Sequence, residues 1–141
     1  MPLHLEIVTP ERLAYSDEVD EVVCPGSEGE LGILPHHAPL VTNLGVGELR
    51  IHTGGQQESF AIVGGFLQVR PDRVVVLAET ADMASEIDLQ KAHQAREEAE
   101  RALETQTTPS DLAAARAALQ TALLRIRVAE RRHREGPRHR G

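Results

Sequence analysis

The side chains that could carry chemistry in this chain are seven histidines, one cysteine and 22 carboxylates. The adjacent pair His36-His37 lies in a predicted loop, where neighbouring imidazoles cannot easily face one site, and no helix carries a His-x3-His pair for a metal ion. The sequence contains no P-loop, no GxGxxG after a strand, no HExxH and no nucleophile elbow. Three aromatic residues are too few for stacking on nucleic-acid bases. A binding or regulatory role is therefore favoured over catalysis, metal binding or nucleic-acid recognition.

Charge is distributed unevenly along the chain. Residues 1–84 carry 13 acidic and 4 basic side chains, a net charge of −9, whereas residues 85–141 carry 9 acidic and 11 basic, a net charge of +2. Residues 112–141 hold eight arginines against two glutamates. Because the body is acidic, the basic segment indicates an acidic protein partner, and more weakly RNA or an anionic membrane. The tail from about residue 135 is expected to be flexible and solvated.

The chain changes character near residue 85. Residues 1–84 contain short β-branched runs separated by turn residues, which predicts an all-β domain folded as an antiparallel sandwich or flattened barrel. Gly54-Gly55 is typical of a tight hairpin turn, and Gly64-Gly65 predicts a turn between strands Ser59–Val63 and Phe66–Val69. Cys24 is interpreted as a small residue on a strand. No long apolar run or signal peptide is visible, so a soluble protein facing the cytoplasm is expected.

Residues 85–141 predict a pair of antiparallel helices. Ser85-x-x-Asp88 has the form of a capping box for a first helix of roughly Glu86–Thr105. Thr108-Pro109-Ser110-Asp111 predicts the start of a second helix, which runs to about Arg134. Residues spaced three and four apart form a mostly alanine seam: Ala92, Ala95, Ala99 and Ala102 with Leu112, Ala115, Leu119, Ala122, Ile126 and Ala129. Alanine buries little apolar area, so the hairpin is expected to open or swing.

The loop after the second predicted strand is the most specific segment of the sequence. Residues 26–42 read GSEGELGILPHHAPLVT, which closely resembles the signature of the ε-subunit family of bacterial F-type ATP synthases, called δ in mitochondria. Val8-Thr9-Pro10-Glu11, the run GGFLQV at 64–69 and Ile87-Asp88 fit the same family in the same order, so the resemblance covers nearly the whole chain. It implies a β-sandwich of about ten strands followed by a helical hairpin.

The resemblance implies a rotor subunit without catalytic residues. Its sandwich would bind the γ subunit and rest on the membrane-embedded c-ring, peripherally at the cytoplasmic face of the bacterial plasma membrane. Its helices would reach the α and β subunits when they extend, and would then inhibit ATP hydrolysis. On the residues alone, an independent ligand-binding sandwich with a helical self-association tail is the alternative.

The resemblance also assigns individual residues. Glu30 and His37 match family positions that meet the c-ring, and the family commonly has glycine where this chain has His36. The contact with an acidic stretch of the β subunit in the extended state is assigned to Arg125, Arg127, Arg131 and Arg132. Charge reversal at Arg125 and Arg132 is expected to weaken the inhibition of hydrolysis, most of all at low salt.

Some members of this family bind ATP in the folded hairpin through an (Ile/Leu)-Asp-x-x-Arg-Ala motif. The matching residues here are Asp82, Asp88, Lys91 and Arg125, with Lys91 in place of the motif's arginine. Lysine keeps the charge and loses the planar fork of arginine. Glu98 and Thr121 stand where strong binders carry arginine, and Glu98 would repel phosphate. Weak ATP binding, millimolar or absent, is expected, with no other cofactor.

Overall fold

The computed structural model describes residues 3–135, with side chains as far as Arg132, and contains an N-terminal β-sandwich domain and a C-terminal pair of helices. The tail that was predicted to be flexible, from about residue 135, lies almost entirely outside these residues. The strands are β1 (Leu3–Val8), β2 (Leu13–Val19), β3 (Glu21–Gly26), β4 (Gly29–Ile33), β5 (Leu40–Asn43), β6 (Val46–Thr53), β7 (Gln56–Val69) and β8 (Val74–Met83). A 3₁₀ turn at Ala84–Glu86 leads to α1 (Leu89–Thr105) and α2 (Pro109–Glu135).

The described strands form one folded sheet in the order β2-β1-β8-β7-β6-β3-β4, and β5 pairs with β7 outside that path. Seven strand pairings are present, and all are antiparallel except that between β1 and β8, which is parallel. The sandwich predicted from the sequence is therefore confirmed. The described residues contain eight continuous strands rather than about ten, because β7 and β8 are long and serve both layers.

The prediction that Gly64-Gly65 ends a strand is wrong. Both glycines lie inside β7, with φ of 62° and 117°, in a conformation that side-chain-bearing residues rarely adopt. Before them β7 pairs with β6, and after them it pairs with β5, while β8 stays beside it throughout. The glycines therefore bend one strand so that it passes from one layer of the sandwich to the other.

The strand β2 was not predicted from the sequence. Its residues LAYSDEV are partly or fully exposed except for Val19, so it carries no apolar alternation. It lies at an edge of the sheet, where polar side chains are the rule because only one neighbour, β1, covers it. Edge strands of this kind give little periodic signal, whereas β1 alternates buried and half-buried residues.

The interior of the sandwich is aliphatic. Its largest fully buried side chains include Leu5, Ile7, Ile33, Leu49, Ile51, Phe60, Ile62 and Leu67. Cys24 is buried among them on β3, as predicted, and burial raises the pKa of its thiol to about 12. Because the reactive thiolate is strongly disfavoured, this cysteine is chemically quiet in the folded chain.

The helix starts are set by side-chain caps. Thr108 accepts a hydrogen bond from the Asp111 backbone N–H at 3.2 Å, which confirms the predicted start of α2. At α1 the predicted capping box is wrong, because Ser85 lies in the 3₁₀ turn and Asp88 is itself the N-cap. The Asp88 carboxylate accepts from the Lys91 N–H at 3.1 Å. Asp88 follows a residue in extended conformation, so the first helix begins three residues later than expected.

The helices pack as the predicted hairpin, with only residues 106–108 between them. Six of the ten seam residues are buried: Ala92, Ala99, Ala115, Ala122, Ile126 and Ala129. A second face of α2 was missed, since Leu124 and Val128 pack against Ala61 and Ala84 of the sandwich, with Ile87 alongside. The hairpin therefore lies folded against the sandwich. Neither α1 nor α2, as far as they are described, has the length and apolar character needed to span a bilayer.

Candidate functional site

The basic face of α2 lies over carboxylates of the sandwich. Arg125 Nε donates to Asp82 Oδ2 on β8 at 2.9 Å. Two helical turns further along α2, the Arg132 Nη1 atom lies 3.8 Å from Glu58 Oε1 on β7. Both pairs are about one-third exposed, so each contributes at most about 1 kcal/mol to docking of the hairpin.

The third pair on this face is more deeply placed. Arg131 donates from Nη1 to Glu48 Oε1 on β6, and the Glu48 side chain is only 7% exposed. Arg127 differs from the other three arginines because it is exposed and makes no ion pair with the side chains described, those of residues 3–132. Three of the four arginines assigned from the sequence to an external partner are thus engaged inside the chain while the hairpin is docked.

Glu30 stands at the start of β4 and is held by Arg50 of β6. Arg50 Nη1 donates to Glu30 Oε2 at 2.8 Å, and Nη2 donates to Oε1 at 3.1 Å, which is the two-pronged geometry that arginine and carboxylate form best. These hydrogen bonds lower the pKa of Glu30, and the positive charges of Arg50 and, further away, Arg131 lower it as well. Glu30 is therefore a carboxylate at neutral pH.

His37 lies in the loop between β4 and β5. Its ring Nδ1 donates to the Ala38 carbonyl oxygen at 2.7 Å, and its backbone N–H donates to Leu34 at 3.2 Å. The preceding His36 has a φ of 70°, a left-handed conformation that glycine adopts most easily. This explains physically why glycine suits that position. No hydrogen bond or ion pair between Glu30 and His37 occurs in the described part of the chain.

The four residues assigned to ATP line one cleft of about 340 Å³ between the sandwich and the hairpin, formed with Glu86, Ile87 and three alanines. Asp82 accepts a hydrogen bond from the guanidinium of Arg125, and Asp88 caps α1. The cleft thus holds three carboxylates against two cations, one of which is already paired. The wall is acidic overall, which opposes the entry of a triphosphate.

An apolar surface on the sandwich was missed by the sequence reasoning. Val41, Phe66 and Leu77, called here the apolar face, are 67%, 52% and 44% exposed. Phe66 is the direct cross-strand partner of Leu77, and Val41 is the partner of Gln68, two residues along β7, so all three side chains point to the same side of the sheet. The sequence did contain an indication of this surface, because Phe66 is an aromatic residue at an outward-facing position of β7, next to the buried Leu67.

A groove of about 590 Å³ adjoins the apolar face. Phe66 and Leu77 line it together with Pro10 and Leu44, and its floor includes Gly65 and Ala78. Single exposed apolar side chains are common on protein surfaces, whereas a cluster of them beside a groove is typical of an interaction surface.

Comparison with known proteins decides the family. Residues 2–84 match the family described as "ATP synthase, Delta/Epsilon chain, beta-sandwich domain", and residues 85–130 match "ATP synthase, Delta/Epsilon chain, long alpha-helix domain". The chain belongs to the delta/epsilon-chain family of ATP synthase subunits. The resemblance seen in the sequence is therefore confirmed.

Curated relatives match over nearly their whole length. An ATP synthase epsilon chain of Dehalococcoides mccartyi is 51% identical over 133 residues, which is 94% of this chain and 95% of the relative. Another, from Herpetosiphon aurantiacus, is 49% identical over 136 residues, or 96% of this chain and all of the relative. As a member of this family, the chain is a non-catalytic rotor subunit of an ATP synthase.

Solved structures agree. A chain of the Euglena gracilis mitochondrial ATP synthase, in an assembly described as OSCP/F1/c-ring, superimposes with a TM-score of 0.75 at 25% identity, over 86% of this chain and 78% of that one. A chain from the central stalk and c-ring of the Tetrahymena thermophila mitochondrial enzyme has a TM-score of 0.58 at 15% identity, over 92% and 97% of the two chains. The second match shows the fold alone.

Proposed function

We propose that the chain docks on the γ subunit of the central stalk through the apolar face and meets the c-ring with the end that carries Glu30 and His37. The observation that carries this proposal is the exposure of Phe66 beside Leu77 on a sandwich whose other phenylalanine, Phe60, is fully buried. Family membership and the fold shared with a chain of an OSCP/F1/c-ring assembly support it. The complex would hold the chain peripherally at the cytoplasmic face of the bacterial plasma membrane.

The hairpin acts as a brake on ATP hydrolysis in this proposal. While it is docked, Asp82, Glu48 and Glu58 hold three arginines of α2. When it extends, the same arginines become available to an acidic stretch of the β subunit. One guanidinium cannot serve both partners, so each arginine takes part in setting the balance between the docked and extended states.

Arg127→Glu is expected to weaken inhibition of hydrolysis without releasing the docked hairpin. Arg127 is exposed and makes no ion pair within the described residues, so only the extended state loses a contact. An exposed pair is worth about 1 kcal/mol or less, so inhibition should fall by a few-fold at low salt and by less at high salt. The assay is ATP hydrolysis by F1 reconstituted with the wild-type or variant chain.

Arg116→Glu is the matched control for that assay. Arg116 is also exposed on α2 and is not one of the four arginines of the basic face, so the same charge reversal should leave hydrolysis unchanged. Equal effects of the two variants, or no effect of Arg127→Glu at any salt concentration, would contradict a specific contact of the basic face with the β subunit.

We propose further that ATP binds the cleft between sandwich and hairpin weakly or not at all. Titration calorimetry of the purified chain is expected to give a dissociation constant of about 1 mM or no measurable heat. The reason is that carboxylates outnumber cations in the cleft and Asp82 already occupies Arg125. A Glu98→Arg plus Thr121→Arg variant, which restores two arginines carried by strong binders, should bind more tightly. Micromolar affinity of the unmodified chain would overturn the proposal.

A further inference from the structure

Four charged side chains form an unbroken series from the β4 end of the sandwich to α2. Both terminal nitrogens of Arg50 donate hydrogen bonds to Glu30. The Arg50 Nη1 atom also lies 3.9 Å from Glu48 Oε1, and that oxygen accepts a hydrogen bond from Arg131. The series Glu30–Arg50–Glu48–Arg131, called here the ion-pair chain, alternates in sign and links β4, β6 and α2. The ion-pair chain therefore connects the proposed c-ring end of the sandwich to the helical hairpin.

Glu48 is the shared member of the ion-pair chain. Its side chain is 7% exposed, and its second oxygen, Oε2, has no hydrogen-bond partner in the described part of the protein. Two guanidinium groups, those of Arg50 and Arg131, therefore converge on one oxygen of one buried carboxylate. A buried carboxylate is destabilising unless it is well paired. The position of one guanidinium therefore changes how strongly the other interacts with Glu48.

We infer that Glu30 controls docking of the hairpin by keeping Arg50 at 3.9 Å from Glu48, too far for a direct hydrogen bond. With Arg50 held by Glu30, Glu48 is left to Arg131, and α2 stays on the sandwich. When a hydrogen-bonding or cationic partner takes Glu30, Arg50 turns to Glu48, displaces Arg131 and loosens the hairpin. The identity of that partner as the c-ring rests on the proposed function, whereas the coupling itself belongs to this chain alone.

The coupling makes two substitutions act in opposite directions. Glu30→Gln releases Arg50 to Glu48 and removes a negative charge that also attracts Arg131, so the hairpin should open more often. Arg50→Gln leaves Glu48 to Arg131 alone and removes a like charge beside it, so the hairpin should open less often. Ordinary loss of packing around two neighbouring residues would destabilise docking in both variants.

Opening can be measured as thiol labelling on the purified full chain. Ala84 is 4% exposed beneath Leu124 and Val128, so in an Ala84→Cys variant the introduced thiol reacts with a maleimide only when the hairpin lifts. The native Cys24 is fully buried within the sandwich and gives a slow background. Ala61→Cys, in the same cluster, is the second reporter if Ala84→Cys disturbs folding.

On this reporter, Glu30→Gln is expected to raise the labelling rate by about two- to five-fold, and Arg50→Gln to lower it by a similar factor. Glu28→Gln is the matched control, because it removes the same charge from the turn between β3 and β4. Glu28 makes no ion pair with the side chains described, those of residues 3–132, so this variant should have no effect. In a Glu48→Gln background, the hairpin should be looser and Glu30→Gln should have a much smaller effect, because only the longer-range attraction between Glu30 and Arg131 is then lost.

Changes of the same direction in Glu30→Gln and Arg50→Gln, or an equal response to Glu28→Gln, would overturn the inference. So would a full effect of Glu30→Gln in the Glu48→Gln background. The measurement contains no other subunit, so its failure would leave docking on γ untouched. Loss of γ binding would conversely leave this coupling standing.

Discussion

Replacing Phe66 and Leu77 together by glutamate is expected to abolish binding of the chain to γ. The two side chains are adjacent across β7 and β8, and together expose the largest part of the apolar face next to its groove. Aromatic anchors at the centre of an interface commonly contribute about 2 kcal/mol or more each, and two buried carboxylates would add a desolvation cost. The affinity should fall by at least roughly 1,000-fold, measured by titration of purified γ.

Leu123→Glu provides the control for this experiment. Leu123 is 44% exposed on α2, outside the apolar face, so it undergoes the same change in polarity at the same exposure as Leu77. Its binding to γ should match that of the unmodified chain, and all three proteins should unfold at similar denaturant concentrations. If the double variant of Phe66 and Leu77 still binds γ, the proposed docking surface is wrong.

Gly65→Ala is expected to destabilise the sandwich by about 3 kcal/mol. A Cβ atom at Gly65 would lie 1.9 Å from the Leu77 carbonyl oxygen and 2.9 Å from the Ala78 Cα, and the φ of 117° is itself unfavourable for alanine. Both obstructing atoms belong to the β8 backbone, which cannot move aside without breaking its pairing with β7. Urea unfolding of the purified chain measures the change in the free energy of unfolding.

Gly55→Ala separates the effect of the close contact from that of the backbone angle. Gly55 also has a positive φ, of 79°, but an added Cβ there would meet nothing within 4 Å. It should cost about 1–2 kcal/mol, the price of a left-handed residue alone. Equal destabilisation by the two variants would show that β7 and β8 do not approach each other at Gly65 as closely as described.

Local chemistry made much of the fold predictable. The start of α2 followed from Thr108, whose hydroxyl caps the helix, and the hairpin seam followed from alanines spaced three and four apart. The strong alternation of β1 likewise predicted a half-buried strand. These features depend on residues close together in the chain, so the sequence carries them directly.

Features that depend on distant residues were not predictable in the same way. The continuity of β7 through Gly64-Gly65 depends on β8 staying alongside, because paired glycines equally suit a turn. The burial of Glu48 depends on α2 lying across β6. Leu124 and Val128 fall outside the seam and gain their role only from the sandwich surface beneath them.

The residues assigned to function divide in the same manner. Asp82, Asp88, Lys91 and Arg125 come together in one cleft, which their positions in the sequence alone did not require. The sequence placed Asp88 at the start of α1 but did not show that it is the N-cap, and it did not predict the pairing of Asp82 with Arg125. The apolar face was missed because exposed hydrophobic residues are common one at a time, and only the strand register shows that Phe66 and Leu77 are neighbours.

The alternative function, a ligand-binding sandwich that self-associates through its helical tail, has no free helix surface of the expected kind in the described residues. The alanine seam that would join two copies is already buried between α1 and α2 of one chain. The exposed apolar residues that adjoin one another across strands form the apolar face, which lies on the sandwich and not on the helices. Docking to another subunit through the sandwich is therefore the better supported arrangement.

Analytical ultracentrifugation of the purified chain, alone and mixed with purified γ, tests the central claim most directly. A rotor subunit that docks through its sandwich should sediment as a monomer by itself and as a 1:1 complex in the mixture. A self-associated species that ignores γ would contradict the account.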